Sequence, residues 1–177
     1  MTITAPRNEF RRRLLAGEAL HGLWLSLASP VASEALSLLG FDWLMFDTEH
    51  APVDLAAVQP LLQAAAVGTA AAVVRPAWND KVLIKRALDM GAQTLLIPFV
   101  ETAQEAAAAV AATRYPPQGI RGVAGGTRAS RFGLAEDYFQ VADQEICVLV
   151  QLETTAALSR LEEIAAVPGG AGIVIGP

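Results

Sequence analysis

The sequence has very little cysteine. Cys147 is the only one among 177 residues, so no disulfide can form within the chain. The N-terminal stretch MTITAPRNEFRRRLLAG lacks the apolar run of a secretory signal peptide. Nowhere does the chain contain about 18 consecutive apolar residues, the length that a transmembrane helix requires. These absences predict a cytoplasmic protein without a membrane partner.

Positive charge is also scarce. The chain has 13 Lys and Arg residues against 18 Asp and Glu, which gives a net charge of −5. Non-specific nucleic-acid binding depends on Lys and Arg neutralising phosphates, so the composition argues against a nucleic-acid partner. Hydrophobic residues make up 53% of the chain. We therefore expect one domain with a sizeable core, over residues 1–177, that acts on small molecules.

Apolar runs alternate with alanine-rich segments of helical character along the whole chain. Seven runs are candidate strands: HGLWLSL, WLMFDTE, AAVVRP, TLLIPFV, GIRGVAGG, ICVLVQLE and GIVIGP. Most are nearly continuous in Val, Ile and Leu, which is typical of parallel strands covered on both faces. The pattern predicts an α/β fold built from repeated βα units.

Such a chain can close as a (β/α)8 TIM barrel or remain open as a doubly wound sheet. Polar residues follow the ends of several different strands, and a barrel gathers such residues on one rim; they are His50, Arg75, Glu101, Gln151 and Glu153. No GxGxxG pattern follows the first candidate strand. We therefore predict the barrel. A complete barrel takes about 250 residues, and the chain reaches Pro177 directly after the seventh candidate strand, so we expect the domain to be incomplete at its C-terminus.

Gln151 and Glu153 lie two residues apart, so they share one face of a strand. Glu153 is a candidate ligand for a divalent cation, which prefers oxygen donors. The alternative is a helix-capping role, with a dipole interaction of about 0.3–1 kcal/mol. A second metal ligand should follow the neighbouring strand GIVIGP. There, Gly176 and Pro177 form either an ordinary turn or a loop whose backbone amides approach an anion closely.

Arg75 ends a strand and precedes Pro76, which favours an extended backbone at Arg75. Its permanent charge can polarise a carbonyl and stabilise an enolate, whereas the alternative is a surface salt bridge.

His50 belongs to the strand-end segment DTEH and is a candidate general base. Asp47 or Glu49 can orient it by accepting a hydrogen bond, although a lone histidine is more often structural. Trp24 lines the predicted cavity or packs in the core, and His21 is interpreted as structural.

Five segments in order, FDWLMFDTEHAP, VVRPAWNDKVLIKRALDMGAQTLLIPFVET, RYPPQGIRGV, RASRF and ICVLVQLET, span most of the chain. Together they resemble the class II hydroxy-oxoheptanedioate aldolases, relatives of the citrate lyase beta subunit. The resemblance implies a barrel lyase of aromatic compound catabolism that uses Mg²⁺, Mn²⁺ or Co²⁺. Its reaction is reversible cleavage of hydroxy-oxo acids into pyruvate and an aldehyde.

The resemblance also implies a role for each matching position. Glu153 matches a metal ligand, and Gln151 a residue that contacts metal-site water or pyruvate. Arg75 matches the group that holds the pyruvate keto oxygen, and His50 matches the base. Asp47 matches the acid that orients this base, and Asp89 is a second candidate for that role. Gly176 and Pro177 match the loop that binds the pyruvate carboxylate.

The chain departs from the family pattern at its end. The family's second metal-binding aspartate follows the Gly-Pro that matches Gly176 and Pro177, and the family's exchanged C-terminal helix also lies further on. We expect a homohexamer for the full-length protein. Two alternatives stay open: a lyase acting on malyl- or citramalyl-CoA thioesters, and a non-catalytic binding or assembly subunit.

Overall fold

A computed structural model describes residues 2–176 of the chain. Its six strands are β1 (Gly22–Leu25), β2 (Trp43–Asp47), β3 (Ala71–Arg75), β4 (Thr94–Ile97), β5 (Cys147–Leu152) and β6 (Gly172–Ile175). Its eight α-helices are α1 (Glu9–Leu15), α2 (Pro30–Ser37), α3 (Leu55–Ala65), α4 (Lys81–Asp89), α5 (Ala103–Thr113), α6 (Tyr138–Val141), α7 (Thr155–Leu158) and α8 (Leu161–Ala165). Short 3-10 turns cover Arg128–Ser130 and Ala142–Gln144.

The strands form one parallel sheet in the order β1-β2-β3-β4-β5-β6. Each strand therefore pairs with the next strand along the chain, and a helical segment joins every consecutive pair. The prediction of an α/β fold with repeated βα units is confirmed. This sequential order is that of part of a barrel and differs from that of a doubly wound sheet, whose strand order reverses.

The prediction of a strand in GIRGVAGG is wrong, so the chain reaches GIVIGP as its sixth strand rather than its seventh. Thr94 of β4 pairs directly with Cys147 of β5, which leaves no edge for another strand between them. The amide groups of Ile120 and Arg121 instead bond to carbonyls of Ala111 and Arg114 at the end of α5. The segment is thus a loop packed on a helix end.

Two apolar layers cover the sheet. All residues of β4 and β5 are buried, as expected for strands covered on both faces. One layer contains Leu44 and Phe46 with the helices α3, α4 and α5, and Met45 points into the other. That second cluster is formed by Phe10, Met45, Val73, Leu96, Cys147 and Leu149. Phe10 of α1 therefore closes the face of the sheet that the other helices leave open.

Local signals set the ends of the helices. The Asp80 side chain accepts the Val82 and Leu83 amide hydrogens at the start of α4, and Gly91 follows that helix with φ +96°. Thr102 and Glu105 form a reciprocal capping box at the start of α5. These caps fix the loops that follow β3 and β4, where polar residues cluster. Within residues 2–176, no helix combines the length and apolar character needed to cross a membrane.

Candidate active site

A buried ion pair joins the ends of β2 and β3. The sheet register places Asp47 opposite Arg75, and the guanidinium donates from Nε to Oδ1 at 2.9 Å and from Nη2 to Oδ2 at 2.8 Å. Both residues are buried, at 3% and 5% exposure. Burial alone raises the pKa of the Asp47 carboxyl, but the hydrogen bonds from Arg75 and from the Glu49 amide outweigh it and leave this pKa below its ordinary value. Arg75 is therefore held as a fixed, charged group.

Gln151 extends this ion pair towards Glu153. Arg75 Nη1 donates to Gln151 Oε1 at 3.3 Å, and Gln151 Nε2 donates to Glu153 Oε1 at 3.0 Å. The other oxygen of Glu153 accepts the Phe99 amide hydrogen at 2.9 Å. The structure thus brings Arg75, Gln151 and Glu153 together at the carboxyl ends of β3 and β5, on the side that the sequence predicted.

Glu49 is the third carboxylate of the group. Its Oε2 lies 3.0 Å from Arg75 Nη1, but this buried oxygen receives no hydrogen bond of good geometry. Burial raises the pKa of Glu49, and the charges of Glu153 and Asp47 add to that effect against the attraction of Arg75. The ionised form of Glu49 is therefore less favourable in the folded protein than in water.

His50 lies at the edge of this group with an exposed imidazole. Its side chain is 71% exposed, and Nε2 lies 3.7 Å from Glu49 Oε2. Asp47 Oδ1 accepts the backbone amide of His50 at 3.4 Å instead of contacting its ring. In this chain the carboxylate beside the imidazole is therefore Glu49, and Asp47 fixes only the backbone.

Asp89 lies elsewhere. It ends α4, at the opposite end of the sheet from the Arg75 pair, and its Oδ1 accepts a hydrogen bond from Arg121 Nη2 at 2.8 Å. The single chain does not bring Asp89 to His50. A helix that runs antiparallel to its strands places its C-terminus at their amino ends, which explains the separation.

The remaining predicted positions lie around Arg75 and Gln151. The Trp24 ring stacks under the Arg75 guanidinium, with 4.5 Å between the ring centroid and Cζ. Gly176 donates its amide hydrogen to the Leu152 carbonyl at 3.1 Å. A Cβ at Gly176 would lie 2.5 Å from Gln151 Nε2, so a larger residue here would displace the end of the Gln151 side chain. Pro177 lies outside the described residues.

The side chains of this site that could bind a metal ion would do so through carboxylate oxygen atoms. Asp47 and Glu49 contact the guanidinium of Arg75, and Glu153 is joined to it through Gln151, so three carboxylates accompany one guanidinium and leave an excess of negative charge. Among residues 2–176, no group of three or more His, Cys, Asp or Glu side chains is arranged to hold a metal ion. Glu153 is partly exposed and directly follows β5, and its charge and position suit a divalent cation completed by further ligands.

Comparison with known proteins assigns the family. The sequence profile described as HpcH/HpaI aldolase/citrate lyase matches residues 20–177. The chain belongs to this family. The prediction of an aldolase enzyme is thereby confirmed at the level of the HpcH/HpaI family.

Two curated HpcH/HpaI relatives are similar over 97% of the chain. One is a pyruvate aldolase of Rhizobium etli, 55% identical, of which the chain covers 68%. The other is a 4-hydroxy-2-oxo-heptane-1,7-dioate aldolase of Salmonella paratyphi A, 52% identical, of which the chain covers 65%. The chain thus spans about two thirds of the length of these relatives.

A crystal structure of an HpcH/HpaI family protein from Burkholderia cenocepacia has the same fold. It is 45% identical, with a TM-score of 0.93 over 96% of the chain and 69% of that protein. The six-stranded sheet therefore matches part of the structure of this HpcH/HpaI family protein.

Sequence reasoning missed one feature of this site, a pair of aromatic rings. Trp78 and Phe99 stack at 5.6 Å between ring centroids with 53% and 41% exposure, and the Phe99 amide contacts Glu153. Phe99 has φ +52°, a left-handed conformation that is rare for a bulky residue. That geometry aims its amide at Glu153, and nothing in the run TLLIPFV signals it.

Proposed function

We propose that the full-length protein is a divalent-metal-dependent pyruvate aldolase that reversibly cleaves 4-hydroxy-2-oxo acids to pyruvate and an aldehyde. The observation that carries this proposal is the buried Arg75 guanidinium, fixed by Asp47 and joined through Gln151 to Glu153. The names of the Rhizobium and Salmonella relatives support the same reaction class.

Arg75 stabilises the negative charge that develops on the pyruvate keto oxygen when the carbon–carbon bond breaks. Its Nε and Nη2 are bound to Asp47, and Trp24 covers one face of the guanidinium. A donor that is fixed before the reaction needs no reorganisation as charge develops. The permanent charge of arginine keeps this interaction independent of pH near neutrality.

His50 is the proposed base for the substrate hydroxyl proton. Its imidazole is exposed at the strand ends, so a substrate can reach it, and its Nε2 lies 3.7 Å from the Glu49 carboxylate. The proton leaves the hydroxyl as the carbon–carbon bond breaks, and the electron pair of that bond passes to the enolate.

Glu153 is the proposed ligand of Mg²⁺, Mn²⁺ or Co²⁺, with Gln151 beside it contacting bound water or pyruvate. A cation held there would supply Lewis-acid chemistry to the substrate oxygens. Three carboxylates around one guanidinium give the local charge that a divalent ion offsets. We propose that the family's aspartate beyond Pro177 supplies the second carboxylate, and that the loop of Gly176 and Pro177 binds the pyruvate carboxylate through backbone amides other than that of Gly176, which bonds to the Leu152 carbonyl.

The six-stranded sheet is proposed to belong to a single (β/α)8 barrel domain in the full-length protein, of which residues 1–177 are a part. We further propose that this protein assembles as a homohexamer. Native mass spectrometry of the full-length protein tests the assembly, since a hexamer has six times the subunit mass and a monomer would contradict the proposal.

Pyruvate release from a racemic 4-hydroxy-2-oxo acid tests the reaction. The full-length protein is treated with a chelator, assayed, and assayed again after addition of Mn²⁺ or Mg²⁺. We expect release to be lost and then restored, and Arg86→Lys, an exposed substitution on α4, to behave as the wild type. Turnover of malyl-CoA but not of free hydroxy-oxo acids would instead favour a thioester lyase. Pyruvate binding without turnover of either would favour a binding subunit.

A further inference from the structure

A cavity of about 220 Å³ lies at the opposite end of the sheet from Arg75. Its wall includes Ala70, Gln93 and Ile146, which directly precede or lie next to the starts of β3, β4 and β5. A strand rises about 3.3 Å per residue, so the length of β3 separates this cavity from the Arg75 pair by about 13 Å. The cavity is therefore a separate space, which the proposed aldolase reaction does not use.

Arg121 lines this cavity, and not all of its side-chain hydrogen-bond donors have an acceptor among residues 2–176. Arg121 is 2% exposed, and its Nη2 donates to Asp89 at 2.8 Å while the Tyr115 ring covers its guanidinium at 4.5 Å. Its Nε and Nη1 are buried and have no acceptor among the described residues. A buried charged donor without an acceptor is costly, so these two groups point to a ligand that supplies one.

The charge of the cavity wall is positive. Arg128 and Arg131 line it beside Arg121, and within residues 2–176 neither has a carboxylate in ion-pair distance. Burial, and then the charge of Arg131, lowers the pKa of Arg128. The carboxylate of Glu145 also lies in the wall, but Arg7 and Arg12 already bind it at 3.1 Å. The cavity thus suits an anion.

Much of the rest of the wall is apolar and made of small side chains. It includes Ala65, Ala70, Ala92, Ala129 and Ala142. A small inorganic anion would leave this surface uncovered, whereas a molecule with an apolar body would bury it. We propose that this basic cavity binds a small organic carboxylate, with its anionic group on Arg121 and its apolar body against the alanine wall.

Ligand-observed NMR of the full-length protein with benzoate tests the proposal. Benzamide has the same shape without the charge, and inorganic phosphate has the charge without the apolar body. We expect benzoate to bind, and benzamide and phosphate to bind at least about tenfold more weakly, since hydrogen bonds to charged groups are the stronger ones. No benzoate binding, or equal binding of either control, would overturn it.

Variants locate the bound benzoate. Arg121→Gln should weaken binding at least about tenfold, and Ala129→Leu should weaken it by filling the cavity. If Arg121→Gln does not fold, exposed Arg131→Gln replaces it, with a smaller loss expected. Unchanged benzoate binding in the folded variants would contradict the proposal.

Discussion

At the scale of single residues, Glu49 is a carboxylate of the candidate active site whose surroundings disfavour its negative charge. The carboxylate is buried, lies near Asp47 and Glu153, and has a raised pKa because of that burial and of those neighbours. An acid with a raised folded-state pKa contributes most favourably when it is protonated. That contribution is present at low pH and is lost as the pH rises from the ordinary value of 4.5 through the raised one.

Glu49→Gln should therefore stabilise the protein more at pH 7 than at pH 4, relative to the wild type, because pH 4 lies below the ordinary pKa of 4.5. The neutral amide removes the cost of the buried charge, although it also loses the contact with Arg75 at 3.0 Å. Urea unfolding of both proteins across this range measures the difference. A stability difference that stays constant with pH would show that Glu49 titrates in the folded protein as it does in water.

His50 makes a second prediction at this scale. His50→Ala should lower kcat for cleavage of a 4-hydroxy-2-oxo acid by about 10²–10⁴-fold, the usual contribution of a general base. His21→Ala is the matched control, because His21 is exposed before β1 and away from Arg75. Steady-state kinetics measure kcat of the two variants, and equal kcat values would show that His50 is not the base.

At the scale of secondary structure, Thr154 links the end of β5 to the loop after β4. Its hydroxyl donates to Glu101 Oε1 at 2.9 Å and accepts the Ala157 amide hydrogen at 3.0 Å, which caps α7. Thr154 directly follows Glu153, so this cap also fixes the backbone of the proposed metal ligand.

Thr154→Val keeps the shape of the side chain and removes both hydrogen bonds. We expect a loss of about 1 kcal/mol in the free energy of unfolding, which is typical of a helix N-cap. Thr155→Val, at the exposed next position, should change it by less than about 0.5 kcal/mol. Chemical denaturation compares the two variants, and equal losses would mean that the cap contributes nothing.

Six of the seven candidate strands form, and the remaining candidate, GIRGVAGG, shows what the sequence could not reveal. The six have apolar runs that a covered parallel sheet requires, so their pattern was sufficient. GIRGVAGG contains four glycines and is a loop because its amides bond to the end of α5. Whether a segment pairs with a strand or a helix end depends on contacts distant in sequence, which a local pattern does not contain.

The sequence predicted those residues of the candidate site whose positions are set by the end of a strand. Arg75, Gln151 and Glu153 each end or follow a strand, and parallel strands bring such ends together. The partner of the His50 ring was less predictable, since it depends on side-chain directions within the loop DTEH. There, Asp47 turns to Arg75 and Glu49 lies beside the ring.

At the scale of the whole molecule, the sheet separates two charged sites. The carboxyl ends of the strands carry the acidic group around Arg75, and the amino ends carry the basic cavity around Arg121. Asp89 belongs to the second of these within the single chain. A cation is expected at one end and an organic anion at the other.

The central claim is that Arg75 stabilises a pyruvate enolate. The most direct test is the exchange of the pyruvate methyl hydrogens for deuterium in D₂O, monitored by NMR. It reports enolate formation alone and needs no knowledge of the aldehyde. With Mn²⁺ or Mg²⁺ bound, the full-length protein should catalyse this exchange, and Arg75→Lys should slow it by about 10²–10³-fold, the loss typical of a fixed donor to developing negative charge. Arg86→Lys should exchange at the wild-type rate. Equal exchange by Arg75→Lys and the wild type would contradict the account.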